Sequence, residues 1–152
     1  MNLARRSLLL TIGASLIAGA REKSLAALEL ETAPLELEIY SLRKELSKDI
    51  PGTLAFVRQL GFQDVEVPDF NGLRSKQFLE QLDKAGLRCS AMVAQHDRLS
   101  QDLQGVISDA RILNASYVIS PSIPHKNDFT EDDCRRGAVE MKRWGKVLKQ
   151  AS

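Results

Sequence analysis

Neither G-x-G-x-x-G nor G-x-x-x-x-G-K-[ST] follows any strand-like run of this chain, so a nucleotide would find no backbone cradle for its phosphates. A G-x-S-x-G elbow is also missing, and Ser122 in SPSIP has no such context, which argues against a serine hydrolase. An excess of one charge is absent too. The 21 Lys and Arg against 20 Asp and Glu leave a dispersed +1, without the basic stripe that nucleic acid binding needs. The apolar run from Ser7 to Ala18 is about a dozen residues long, where a bilayer span takes roughly 20. Cysteines number only two, and none follows LIAGA, which excludes a lipoprotein anchor. What remains is an ordinary globular composition, 43% hydrophobic and 27% charged over 152 residues, about one domain's length.

The first twenty residues, MNLARRSLLLTIGASLIAGA, read as an address. Arg5 and Arg6 form a basic region, the apolar run follows, and Ala18-Gly19-Ala20 makes an A-x-A cleavage site. The paired arginines ahead of SLLL resemble a twin-arginine export signal, so the mature chain is expected in the periplasm or outside the cell. Cleavage removes two of the 21 basic residues, leaving 19 against 20 and a mature charge of −1. An uncleaved N-terminal anchor is the alternative. Residues 21–34 read as a linker rich in Ala, Leu and Glu, and residues 35–152 as the folded part.

From Leu35 the chain alternates. LELEIY predicts a strand entering a loop; Asp49 with Pro51 opens a helix carrying Leu54, Val57 and Leu60 on one face. DVEVPDF is a second strand, and Ser75 is expected to cap a helix that stops at Gly86. RCSAMVA is a third strand, Ser100 is expected to open a helix that stops at Asn114, and SYVISPSI is a fourth strand. Thr130 with Asp133 then starts a last helix with acids in its first turn and Lys142, Arg143, Lys146 and Lys149 toward its end. Strands recurring about every 24 to 29 residues with a helix between each pair predict an α/β fold with parallel strands and right-handed crossovers. The pattern fits both an open doubly wound sheet and part of an eight-stranded barrel.

IYSLRKELSKDIPGTLAFVRQLGFQDVEV resembles the opening of the sugar phosphate isomerase/epimerase family, the xylose-isomerase-like barrels, through Y-S-x-R, a P-x-T-L helix start and L-G-[FY]-x-x-V-E. AGLRCSA, the DL of the third helix and LNASYVI continue the likeness, which covers roughly residues 37–150. The resemblance implies four consecutive βα units forming the N-terminal half of a TIM (β/α)8 barrel. It implies an enzyme that isomerises or epimerises a ketose or hydroxy sugar, in which a divalent metal (Mn, Mg, Co or Zn) polarises oxygens while carboxylates move a proton. The family's metal ligands lie on the later strands, so no metal ligand and no catalytic residue is carried over to this chain. Two readings follow: the N-terminal half of such an enzyme, inactive alone, through truncation, a frameshift or a split gene; or a non-catalytic half barrel that binds a carbohydrate or dimerises through its open edges. A zinc-dependent phosphoesterase on the same barrel is a third, without its histidine-rich site in view.

Barrel sites lie at the C-terminal ends of strands, which makes Tyr40 and Arg43, Glu66, His96 and, by position, Asp69, Asp97 and His125 rim residues. By the resemblance, Tyr40 lines a substrate pocket and Arg43 binds sugar oxygens or a phosphate; alternatively Tyr40 packs at the barrel mouth and Arg43 pairs with a local acid such as Glu45. Glu66 can accept from a substrate hydroxyl or satisfy rim backbone, and Asp69 reads as a turn residue. Relatives often carry histidine at the place of Met92, where it points into the pocket; here the nearest is His96, four residues on. His96 with Asp97 and His125 with Asp128 form a weak metal pattern. Cys89 at the bottom of strand three and Cys134 at the top of the last helix sit on the order of 15 Å apart by strand rise. That exceeds disulfide reach, so both are expected as free thiols.

Overall fold

The structure is a computed structural model, and it describes residues 35–151. The export signal expected over residues 1–20 and the linker over 21–34 lie outside the described residues.

Four strands, β1 (Glu36–Glu38), β2 (Asp64–Val67), β3 (Arg88–Val93) and β4 (Tyr117–Ile119), form one parallel sheet in the order β1-β2-β3-β4. Six helices accompany them: α1 (Arg43–Leu46), α2 (Ile50–Gln59), α3 (Ser75–Ala85), α4 (His96–Gln101), α5 (Leu103–Leu113) and α6 (Glu131–Ala151). The strand order settles the architecture. A doubly wound sheet reverses direction partway, whereas steady advance with right-handed crossovers puts every helix on the same face, as in a barrel wall. Contacts of α2 with α3, α3 with α5 and α5 with α6 are those of one helical layer.

Strand alternation divides the sheet chemically. Leu37, Val65, Val67, Cys89, Met92 and Val118 belong to the core shared with Leu54 and Val57 of α2, Phe78 and Leu82 of α3, Val106 and Leu113 of α5 and Trp144 of α6. Each large side chain fully buried there contributes about 1.5–3 kcal/mol relative to exposure. The alternate positions, Glu36, Glu38 and Glu66, are polar and point away from that core. Between Val65 and Glu66 the register slips: Val65 faces Cys89, Glu66 faces Ala91, and Ser90 is the extra residue. The Ser90 hydroxyl lies 3.1 Å from the Val65 carbonyl and 2.5 Å from Glu36 Oε1. At the N-terminal edge Arg88 and Asp64 form a bidentate ion pair across β3 and β2, both contacts 2.8 Å.

Capping follows the sequence in four places, the first being Gly86, which ends α3 left-handed with φ 70°. Asp49 accepts from the Gly52 N–H at 3.0 Å. Asn114, with φ 54°, ends α5 left-handed. Thr130 and Asp133 cap α6 reciprocally, Asp133 N–H donating to Thr130 Oγ1 at 3.2 Å and Thr130 N–H to Asp133 Oδ2 at 3.0 Å. Elsewhere the expectation is corrected. Ser75 is the first helical residue of α3 and is buried, so the start is held by the Gln77 side chain accepting from the Arg74 N–H at 3.1 Å. Ser100 lies inside α4, an added short helix; Asp102, accepting from Gly105 N–H at 3.0 Å, opens α5 instead. Leu60, placed on the inner face by periodicity, is 56% exposed because α2 has ended before it. The first and fourth strands are three residues each, shorter than their apolar runs; the chain leaves β1 through a 3₁₀ turn over Ile39–Leu42.

Candidate functional site

At the C-terminal edge of β1, the 3₁₀ turn presents Tyr40, half exposed, and α1 begins with Arg43. The Arg43 guanidinium lies over the Tyr40 ring, 4.6 Å from its centroid, and its Nη1 donates to the Tyr40 carbonyl at 3.2 Å. It takes the aromatic face rather than Glu45. A cation flattened on a ring keeps its outer N–H groups for an incoming oxyanion.

Glu66, half buried on β2, faces Glu38 across the β1–β2 ladder. Burial first, then the charges of Glu38 and Glu36, push its carboxyl above the ordinary carboxylate range. Its carboxyl oxygens are placed to accept from a hydroxyl at the rim. Asp69 is a turn residue as expected: its Oδ1 accepts from Asn71 N–H at 2.6 Å, supporting the left-handed Asn71.

His96 opens α4 at the end of β3, but its ring is spent on α6. Nε2 lies 2.9 Å from Glu140 Oε2, so the proton sits on Nε2, and the imidazole meets the Trp144 ring edge-on at 5.1 Å. Nδ1 is buried without a hydrogen-bond partner; Asp97 Oδ1, the nearest acid, is 3.8 Å away. The structure therefore brings Tyr40 to Arg43 and Glu66 to Glu38, and turns His96 toward the helical layer. The Glu140–Trp144 partnership was invisible in sequence, although an i, i+4 acid and aromatic on an amphipathic helix is the signal that could have marked it.

Met92 corrects the sequence reading most sharply. It is 1% exposed and belongs to the core, with Val67 and Val118 as register partners, so its side chain lies among the helices and not in a pocket. The bulge at Ser90 shifts the alternation of β3 relative to β2 and sets Met92 inward.

Both cysteines are free, Cys89 buried and Cys134 exposed. Burial foremost, with Glu36 and Glu66 adding, pushes the Cys89 thiol up to about 12, which makes it inert. Among the described residues no three His, Cys, Asp or Glu side chains converge to hold a metal ion. Nor is any described helix long and apolar enough to cross a membrane.

No protein-family model matches the chain, and no curated protein sequence matches it. Among solved structures the chain is similar to a sugar phosphate isomerase/epimerase from Parabacteroides distasonis, at 23% sequence identity and a TM-score of 0.64. The likeness covers 78% of this chain and 48% of that one, so this chain spans about half the length of the protein it matches. At that identity the likeness establishes the fold: an α/β chain whose four parallel strands and outer helices follow a TIM-barrel-like isomerase.

Proposed function

We propose that this chain forms the β1–β4 wall of a sugar phosphate isomerase/epimerase and contributes substrate binding through Tyr40, Arg43 and Glu66. The observation that carries this reading is the agreement of the sequential four-strand sheet with the P. distasonis enzyme over 78% of the chain. The reaction class moves a proton at a carbon beside a carbonyl. Arg43 would hold an anionic group or sugar oxygens, and Glu66 would accept a hydrogen bond from a substrate hydroxyl. The divalent metal expected of such enzymes finds no converging ligand set among the described residues. On this reading the chain alone binds a sugar phosphate without turning it over, and the twin-arginine-like residues 1–20 send it to the periplasm or beyond.

The test is incubation of the purified chain with a panel of ketose phosphates in D₂O, with and without Mn²⁺, while NMR follows both binding and deuterium at the carbon beside the carbonyl. Binding without exchange is expected. Failure of every sugar and sugar phosphate to bind at millimolar concentration would refute the reading.

A second reading draws on the edges of the sheet. Among the described residues β1 and β4 each lack a strand on their outer side, and Tyr117 on β4 is 70% exposed. A two-fold axis along the strand direction would let β4 of one copy pair with β1 of another and close eight parallel strands. Light scattering decides it: a dimer is required, and a stable monomer rules it out.

A further inference from the structure

The segment between β4 and α6, residues 120–130, leaves the C-terminal end of the sheet and borders a cleft of about 500 Å³ that Tyr40, Arg43, Glu66 and His96 do not line. Pro124, His125, Lys126, Asp128 and Arg136 surround it, and its volume is within the range of small-molecule sites, about 300–1,000 Å³. We propose that this cleft is the phosphate-binding subsite of the sugar phosphate site inferred above: Lys126 and Arg136 hold the anion, and His125 and Asp128 take neighbouring hydroxyls. The inference rests on that functional reading and adds to it the place where the charged end of the substrate sits.

The polar groups are set for this by the chain itself. His125 Nδ1 lies 2.6 Å from the Asn127 carbonyl oxygen, which can only accept, so Nδ1 carries the proton and Nε2 offers a lone pair. Phe129 packs edge-on against the imidazole, centroids 5.4 Å apart, and fixes the plane of a ring that would otherwise swing in an exposed loop. An Nε2 acceptor in the same cleft as the Asp128 carboxylate suits sugar hydroxyls, which need acceptors as much as donors.

Arg136 is anchored through one nitrogen. Nη2 donates to Asp133 and, at 3.3 Å, to the Pro124 carbonyl, and its other N–H groups make no bond among the described residues. Lys126 has neither an ion pair nor a hydrogen bond among the described residues, so its ammonium is available. A phosphate would meet one pre-oriented guanidinium and one mobile ammonium. The first turn of α6 plays no part, because Thr130 and Asp133 already cap it. Asp133, held low at about 2 by the Thr130 hydroxyl and N–H and then by Arg136, stays ionised and keeps the arginine in place.

Backbone-amide NMR of the full chain tests this with fructose 6-phosphate, fructose and inorganic phosphate. The expected result is shifts across residues 124–130 with fructose 6-phosphate, smaller ones with phosphate, and tighter binding of the sugar phosphate than of either part. Lys126→Ala should weaken fructose 6-phosphate about tenfold, as the loss of one charged contact. His125→Gln should weaken fructose and its phosphate alike; the same spectra show that each variant is folded. If fructose 6-phosphate binds but shifts only the surroundings of Arg43 and Glu66, and Lys126→Ala changes nothing, the subsite is refuted while the isomerase reading stands. Phosphate binding that the sugar does not improve, an adventitious anion only, also refutes it. No binding by any of the three refutes both.

Discussion

Replacing Met92 by histidine separates the core geometry from the pocket geometry that the family resemblance implied. Met92 is 1% exposed, between Val67 and Val118 on the helix-facing side of β3. Methionine burial there contributes about 1.5–3 kcal/mol, part of which a smaller, polar ring forfeits. At least one imidazole nitrogen would lack a partner among apolar neighbours, costing a further ~1–3 kcal/mol. The sum, roughly 2–5 kcal/mol, compares with a total stability of about 5–15 kcal/mol for a domain. Urea unfolding followed by circular dichroism should show the midpoint of Met92→His falling far below that of the parent. Met92→Leu, which conserves volume, should cost under about 1.5 kcal/mol. Acid should widen the gap, since a core that excludes water disfavours the imidazolium. A Met92→His protein within about 0.5 kcal/mol of the parent, the level of an ordinary surface substitution, would show that the side chain faces an open pocket.

Glu66→Gln tests the acidic side of the sheet. A carboxyl raised in the fold keeps its proton while the unfolded chain has lost it, so its contribution is intact below the ordinary value of 4.5 and declines as pH rises through the raised one. Thermal melts should show the variant matching the parent below pH 4.5 and exceeding it at neutral pH; a variant less stable at neutral pH contradicts the repulsion from Glu38 and Glu36. Asp102→Ala should cost about 1 kcal/mol through loss of the α5 cap, and Ser100→Ala at most about 0.5 kcal/mol; the reverse order in urea unfolding would return the helix start to Ser100. A maleimide should label Cys134 alone in the native protein and both thiols in urea, because Cys89 is 5% exposed and pushed up to about 12; equal native labelling would refute its burial.

The elements that were legible in the sequence are those whose signals are local. Asp49, Asn114 and the Thr130–Asp133 box work within four residues of themselves, and each does what its spacing predicts. Parallel strands were legible because their connections recur at the length of a helix. Strand order was not legible in the alternation, which feeds an open sheet or a barrel alike; the family resemblance implied the sequential order that the sheet shows. The start of α5 was missed because Ser100 and Asp102 are both good caps two residues apart; the serine is taken up inside α4, where its hydroxyl donates to the His96 carbonyl at 3.0 Å.

The candidate site divides in the same way. Tyr40 and Arg43 lie three residues apart, so one turn makes them a stacked pair and the Y-S-x-R pattern records it. Met92 and His96 depend on distant partners: the inward turn of Met92 follows from a bulge that pairs Val65 with Cys89 and Glu66 with Ala91, and His96 is engaged by Glu140, 44 residues away. That engagement commits the His96 ring to the helical layer. The polar groups at the C-terminal edge include the Arg43–Tyr40 stack, the exposed Arg74 ahead of α3, the half-buried Glu66 beside Glu38 and the loop that carries His125. The stack, Arg74 and the loop each offer a cation. On the proposed reading the anion of a sugar phosphate meets one or more of these, while Glu66, with Glu38 and Glu36 beside it, repels it.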